Sequence, residues 1–297
     1  MLRSSRVRLA TLLLPLLAAA GPLGMSFLRL APASPEAGMG GAGVAGCSGP
    51  QTMVWNPAAT ASLRGFAASA GYCVWFLGAH QQSAFVVRQL RQLRVGFGVS
   101  GFSAGEFEWR GDLPSKEPVG TFEPEDLTAF LNTAVPVSDL AAFGVSGRFY
   151  YSRLLSYSAS GFGTDLGVRL EPVAGFLLGA SVTDFGTTLT YEREKAWLPT
   201  RGRLGLTWSR RVFGQRLELS ADGSYCFNTA TFRLQTGVEW EIAEVICLRG
   251  GCDVSTGGVR PTLGLGLRRG RVGLDYSLER LGYDLGVAHR VSLSVGG

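Results

Sequence analysis

Arg216-Leu217-Glu218-Leu219-Ser220-Ala221-Asp222 is the stretch whose reading decides the fold. Leu217, Leu219 and Ala221 alternate with Arg216, Glu218, Ser220 and Asp222, a period of two that sends the two sets to opposite faces of a β-strand. The same alternation recurs along the chain. Phe232, Leu234, Val238 and Trp240 stand against Arg233, Gln235, Gly237 and Glu239. Leu263, Leu265 and Leu267 stand against Gly264, Gly266 and Arg268, and Val291, Leu293 and Val295 against Arg290, Ser292 and Ser294. Earlier, Phe143, Val145, Phe149 and Tyr151 oppose Gly144, Ser146, Arg148 and Tyr150.

Each run is about 9–11 residues, the length a tilted strand needs to cross a bilayer, whereas strands of soluble proteins average about 5–6. Short turns such as Phe213-Gly214 and Arg269-Gly270 join successive runs as hairpins. About fourteen such runs fit between residues 64 and 297, and an even number of antiparallel strands lets a sheet close with both ends on one side. A soluble barrel would also alternate. Here, however, the polar face mixes glycine with charges of both signs (Arg216/Glu218, Arg233/Glu239, Arg271/Asp275), as a filled lumen would, and the other face carries Phe, Trp, Tyr and Leu, as a lipid face would. The expected fold is all-β: a transmembrane antiparallel β-barrel of about 14 strands with an N-terminal segment in its lumen.

Bulk composition agrees. Of 297 residues, 42 are glycine, and 26 of the 28 basic residues are arginine. The mean hydropathy of +0.17 is high, yet beyond the leader no apolar run reaches the roughly 18 residues of a spanning helix. The net charge of +5 is spread along the chain, which speaks against nucleic acid as a partner. Residues 1–20 read as a signal peptide: Arg3, Arg6 and Arg8 precede the apolar stretch Leu9 to Ala20, which ends in Ala18-Ala19-Ala20. Residues 21–63 then form a plug or periplasmic segment, and 64–297 the barrel. Export to the outer membrane, with its lipid as surroundings, follows.

Within 21–63, Gly38-Met-Gly-Gly-Ala-Gly43 fits G-x-G-x-x-G. A dinucleotide site would need a preceding strand, a following helix and an acid about 20 residues on. No Asp or Glu occurs from Ala37 to Gly105, so the glycines are expected to serve tight turns and close packing. Gly38, Met39, Gly40, Gly41, Ala42, Trp55, Asn56 and Pro57 are the expected lumenal plug and turn residues. No catalytic, cofactor-binding or metal-ligating set is expected. Glu106 and Glu108 sit beside Arg110 as a charged rim, His80 and His289 have no ligand neighbours at metal spacing, and the five cysteines (47, 73, 226, 247, 252) match no zinc pattern. The charged connections 105–125 and 186–200 read as extracellular loops.

Several segments together carry a family likeness. Phe27 to Leu30, Gly38 to Ala45 and Val54-Trp-Asn-Pro-Ala58 resemble the mature N-terminus of the PorV/PorQ family of outer-membrane barrels, which is related to the long-chain fatty-acid transporter (FadL-like) superfamily. The likeness continues through Leu198-Pro199, Arg203 to Leu206, Gly237 to Trp240, Leu248 to Gly251 and Ala288 to Leu293. The resemblance implies a 14-stranded outer-membrane barrel with a lumenal N-terminal segment, not an enzyme. It further implies a PorV-like shuttle or scaffold in type IX-like protein secretion, with cargo proteins or secretion-complex subunits as partners. The alternative is a FadL-like passive transporter of hydrophobic small molecules.

Overall fold

A computed structural model describes residues 23–46, 48–110, 116–192, 194–282 and 285–296. The expected signal peptide and Cys47 lie outside the described residues. The strands are β1 (Phe66–Val74), β2 (His80–Leu90), β3 (Leu93–Ser103), β4 (Phe107–Trp109), β5 (Gly120–Phe122), β6 (Glu125–Pro136), β7 (Ala141–Leu154), β8 (Tyr157–Val173), β9 (Phe176–Gly186), β10 (Leu189–Tyr191), β11 (Glu194–Ala196), β12 (Arg201–Val212), β13 (Gln215–Cys226), β14 (Thr231–Ile242), β15 (Ile246–Ser255), β16 (Gly258–Arg269), β17 (Val272–Arg280) and β18 (Val287–Gly296). Fourteen close into an antiparallel barrel. β4–β5 and β10–β11 are separate two-stranded hairpins, so β3 pairs directly with β6 and β9 with β12. β1 zips onto β18 from Ala67↔Gly296 to Val74↔His289, which removes every free edge of the wall.

The alternation in the sequence sets the register. Leu217 lies opposite Trp240 and Leu219 opposite Val238 on the outer face, while Asp222 lies opposite Gln235 on the inner one. Leu204, Leu263 and Phe162 are among the most exposed apolar side chains. An outer surface of this kind requires hydrocarbon around it. Among the described residues no helix is long and apolar enough to cross a membrane; the strands do the crossing. At the end where β1 begins and β18 stops, the connections are short turns. Phe213 (φ 51°) and Gly214 (φ 77°) take the doubly left-handed conformation that two-residue hairpins favour. At the opposite end lie the longer connections, including both extra hairpins.

The inner ion pairs differ in part from those read along single strands. Arg216 does pair with Glu218, at 2.5 Å. Arg233, however, meets Asp253 on the neighbouring strand, and Glu239 meets Arg249 at 2.5 Å. Asp275 is held by Arg249 and Arg268 at 2.7 and 2.8 Å, not by Arg271. Same-face neighbours across the ladder lie closer than residues several positions along one strand, so cross-strand pairing wins.

The register between β8 and β9 shifts twice, between Thr164 and Leu166 and between Leu170 and Val173. Near the first shift Asp184 has φ 59°, and it is buried like its neighbour Thr183 instead of alternating outward.

Replacing Leu265, outward-facing in β16, with Arg should lower folding stability in phosphatidylcholine vesicles by about 2–4 kcal/mol if it sits near the bilayer midplane. Urea titration of vesicle-folded protein measures this. An unchanged midpoint would remove lipid contact at that face.

Candidate functional site

Residues 23–46 and 48–63 pack against inward-facing wall side chains, folded into short 3-10 turns (Ser26–Arg29, Pro50–Val54, Pro57–Ser62) and one α-helical turn, α1 (Ser34–Gly38). This chain cannot make a sheet or a long helix there, so its main-chain groups need other partners. The wall supplies them. Thr262 Oγ1 accepts from Gly40 N at 2.9 Å and donates to Gly38 O at 3.0 Å. Asp222 Oδ2 accepts from Gly43 N and Val44 N at 2.6 and 2.9 Å. Ser181 donates to Trp55 O at 2.6 Å, Ser83 to Pro32 O at 2.8 Å, and Ser292 Oγ accepts from Ser34 N at 2.8 Å. Arg94 donates to Leu63 O at 3.0 Å.

One ionic network fixes two points of the segment together. Arg148 donates to Asp165 at 2.5 Å, to Asp184 at 2.8 Å and to Val54 O at 3.1 Å. Arg201 donates to Asp184 and to Leu28 O, both at 2.8 Å. The inward turn of Asp184 near the β8–β9 register shift lets one carboxylate serve both arginines.

Each expected plug residue has a distinct place. Gly40 and Gly41 have φ of 70° and 88°. A Cβ on Gly40 would fall 2.4 Å from Cys252 O, and one on Gly41 would fall 2.9 Å from Gln235 Nε2. Gly38 rests on Gly264, where a Cβ would come within 3.0 Å of its Cα. Met39 lies against two wall glycines: a Cβ on Gly237 would be 2.5 Å from Met39 O, and one on Gly251 would be 2.4 Å from Met39 C. Ala42 is buried and its N donates to Met39 O at 3.3 Å. Trp55 is in the largest apolar cluster with Val44, Met53, Phe85 and Phe130. Asn56 caps the Pro57–Ser62 turn by accepting from Ala58 N at 3.0 Å, and donates to Val44 O at 2.8 Å and Val168 O at 3.0 Å. Pro57 is the first residue of that turn and packs on Gly144, where a Cβ would be 2.4 Å from Pro57 C. The contacts of these eight residues are thus spread between different wall strands. Asn56-Pro57 starts a further turn and leaves entry into the wall to Leu63.

The segment does more than line one end. Its first described residues reach the long-loop end, where Gly24 N donates to Trp197 O at 2.9 Å. At the short-turn end Ala61 packs with Ala134 and Ala142. The described contacts of this segment therefore run from the long-loop end to the short-turn end.

Above this filling lies a cavity of about 600 Å³ at the long-loop end. Trp75, Phe76, Phe102 and Phe107 line it, with Leu30, Leu281 and Leu285. Arg29, Arg233 and Arg260 supply its charge. Arg260 is held by Asp253 at 2.6 Å and Glu279 at 3.1 Å. An apolar chamber with a few placed polar groups is the usual form of a small-molecule site. Sequence reading missed these aromatics because Trp75, Phe76 and Phe107 sit in connections or short hairpins, where alternation assigns no face.

Other sequence-level candidates resolve simply. Glu108 pairs with Arg110 at 2.7 Å at an exposed rim. His289 Nδ1 meets the Tyr276 hydroxyl at 2.7 Å on the outer face, and His80 Nδ1 lies 3.3 Å from Gly78 O. Cys73, Cys226, Cys247 and Cys252 are free thiols. Ligand atoms of Glu239, Glu241 and Cys247 lie within 4.8 Å of one another, but Arg249 and Arg216 already hold the two carboxylates.

A deletion mutant of the monoaromatic hydrocarbon channel TodX aligns at 12% identity, covering 89% of this chain and 99% of that one, with a TM-score of 0.72. The hydrocarbon channel CymD aligns at 14% identity over 91% and 98%, with a TM-score of 0.65. A FadL homologue from Pseudomonas aeruginosa aligns at 13% over 89% and 98%, with a TM-score of 0.53. The chain shares its fold with these channels. No family model and no curated protein matches the sequence.

Glu36, in α1, is fully enclosed. It accepts from Ser48 and from Gln51 Nε2, the latter at 3.0 Å, while its Oε2 has no hydrogen-bond partner among the described residues. Burial pushes its carboxyl above the ordinary 4.5, against the lowering effect of those hydrogen bonds. An acid whose folded pKa is raised weakens the fold as pH climbs through its unfolded value. Glu36→Gln should therefore be as stable as the parent or more so at pH 7, with the gain fading below about pH 4.5. Urea midpoints measured across pH 3.5–8 test this, and a clear loss at pH 7 would contradict it.

Proposed function

We propose that this chain is a non-enzymatic outer-membrane channel for hydrophobic small molecules, with its lumen closed by the segment containing Gly38 to Ala42 and Trp55-Asn56-Pro57. The observation that carries this reading is the aromatic-lined cavity of about 600 Å³ set at the mouth of a barrel whose interior below is filled. In membrane barrels the long loops face outward and the short turns face the periplasm. That orientation puts the cavity at the outer surface, where an apolar compound leaves water by entering it. The cavity's inner side includes Leu30, and main-chain attachments near it are few: Leu28 O to Arg201 and Arg29 O to Arg233, at 2.8 and 3.3 Å. Displacement of residues 26–30 is the smallest movement that would extend the cavity inward.

The likeness to hydrocarbon channels supports transport over the secretion shuttle that the PorV/PorQ resemblance suggested. A shuttle would recognise its cargo through its outer loops, and the loops here are small hairpins around a concave apolar chamber.

Proteoliposomes carrying the purified chain should accumulate a labelled hydrophobic compound faster than empty vesicles. Equal rates for apolar and polar solutes of similar size would remove the selectivity claimed. The seal is tested separately in planar bilayers. Deleting residues 38–59 should raise conductance severalfold, and Gly167→Val should raise it less, because its Cβ would fall 2.0 Å from Asn56 Oδ1. Unchanged conductance in folded deletion protein would remove the plug.

A further inference from the structure

The short-turn rim of the barrel carries its charge unevenly. On one side Asp139, Glu171, Glu241 and Glu244 stand in or beside the connections. The arginines there are answered: Arg169 by Glu171 at 3.6 Å, Arg211 by Glu244 at 3.3 Å and Arg216 by Glu218 at 2.5 Å. The other side is formed by the neighbouring strands β16, β17, β18, β1, β2 and β3, which include the closing seam. Here Arg64, Arg88, Arg91, Arg269 and Arg271 are exposed. Among the described residues none of the five forms an ion pair. The sequence supplies no acid beside them, since 62–100, 264–274 and 285–297 contain no Asp or Glu. Their inward neighbours do find acceptors: Arg94 donates to Leu63 O at 3.0 Å, and Arg268 meets Asp275 at 2.8 Å.

Two of the five belong to the outer face. Arg269 continues the outward row Leu263, Leu265, Leu267 of β16, and Arg88 follows Ala84 and Val86 in β2. The register joins them across the seam: Arg269 opposes Val272, Val272 opposes Val295, Val295 opposes Ala68, and Ala68 opposes Val86. Arg88 lies two residues beyond Val86, opposite the exposed Phe66. Four strand spacings separate the ends of this row, about 19 Å. A strip of apolar wall thus ends on both sides in a guanidinium, with Arg64, Arg91 and Arg271 just beyond the strand ends. Five like charges along one arc repel one another, a cost that the paired side of the rim avoids. An anion from outside the chain removes that cost.

We infer that this arc is a docking surface for the phosphate headgroups of anionic phospholipids in the periplasmic leaflet, whose acyl chains lie along Val272, Val295 and Ala68. The leaflet follows from the orientation used above, in which the short turns face the periplasm. A guanidinium holds two phosphate oxygens with parallel N–H donors and keeps its charge at any physiological pH. An acidic periplasmic protein would be met by charges on the underside of the rim. Arg88 and Arg269 instead stand on the lipid-facing side, in the layer where headgroups meet the wall. The apolar strip between them completes an amphipathic surface, with charge where the phosphates lie and hydrocarbon contact directly above. The arc also straddles β1–β18, the pairing of the two ends of the sheet that closes the barrel. Lipids bound side by side there cover the seam from outside.

The test uses the full chain in phosphatidylcholine vesicles containing a trace of spin-labelled lipid, with the motionally restricted fraction of label read by electron spin resonance. Labelled phosphatidylglycerol should associate with the protein about twofold or more over labelled phosphatidylcholine, averaged over all lipid in contact with the wall. The ratio should fall toward one in about 1 M NaCl, where screening is nearly complete. The double variant Arg88→Gln, Arg269→Gln should lower the ratio. Changing Arg64, Arg91 and Arg271 to Gln as well should abolish it, while Arg153→Gln at the long-loop end should leave it unchanged. All five positions are exposed, and the heat-dependent shift in gel mobility checks folding. If the fivefold variant does not fold, the double variant and the salt dependence of the parent decide the matter. Equal association of both lipids with the parent overturns the lipid site. Selectivity that survives in the fivefold variant overturns the assignment to the arc. Binding of soluble polyglutamate to the arc without lipid selectivity makes it a protein-facing surface and likewise overturns the proposal. Both leaflets of these vesicles have the same composition, so the result is independent of orientation, and solute uptake by the same vesicles tests the channel reading separately.

Discussion

The structure depends on a hydrogen-bonding obligation. Some forty residues of irregular chain lie inside a barrel, away from bulk water, and each of their main-chain N–H and C=O groups needs a partner. Many find one within short turns. Others are met by wall side chains whose identity alternation alone leaves open: Thr262, Asp222, Ser181, Ser83, Asn132 and Arg148. Lumen and wall are therefore one folding unit, and the polar inner face is matched to a particular path of chain.

Glycine is the steric half of the same match. Gly144, Gly167, Gly179, Gly237 and Gly251 all face inward, and at each a Cβ would fall within 2.5 Å of an atom of the N-terminal segment. A barrel that held only water would have no use for missing side chains at these positions. The high glycine content marks where two backbones touch.

Charge is distributed with equal purpose. Arg148 and Arg201 share Asp184 and hold Val54 and Leu28. Arg249 joins Glu239 to Asp275. A buried ion pair adds little net stability over an apolar replacement, but breaking one leaves a charge stranded and costs about 3–5 kcal/mol. These clusters act mainly as latches of geometry. Among the described residues, the buried Arg290 finds no acceptor for any guanidinium nitrogen and Arg203 none for Nε or Nη1.

The sequence by itself determined the wall. Period-two runs such as Arg216 to Asp222 fix which side chains face lipid, because a one-residue slip would exchange every apolar group with a polar one. It also placed Gly38 to Ala42 and Trp55 to Pro57 off the wall, since they have no such alternation. Tertiary structure alone decided the rest. Which arginine meets which acid depends on cross-strand stagger, so Arg233 finds Asp253 and not Glu239. The inward turn of Asp184 lies beside a register shift between two strands, which no single strand reveals. The cavity joins Trp75, Phe102 and Leu281, residues far apart in the chain that only barrel closure brings together, and the isolation of Arg290 is a property of everything that surrounds it.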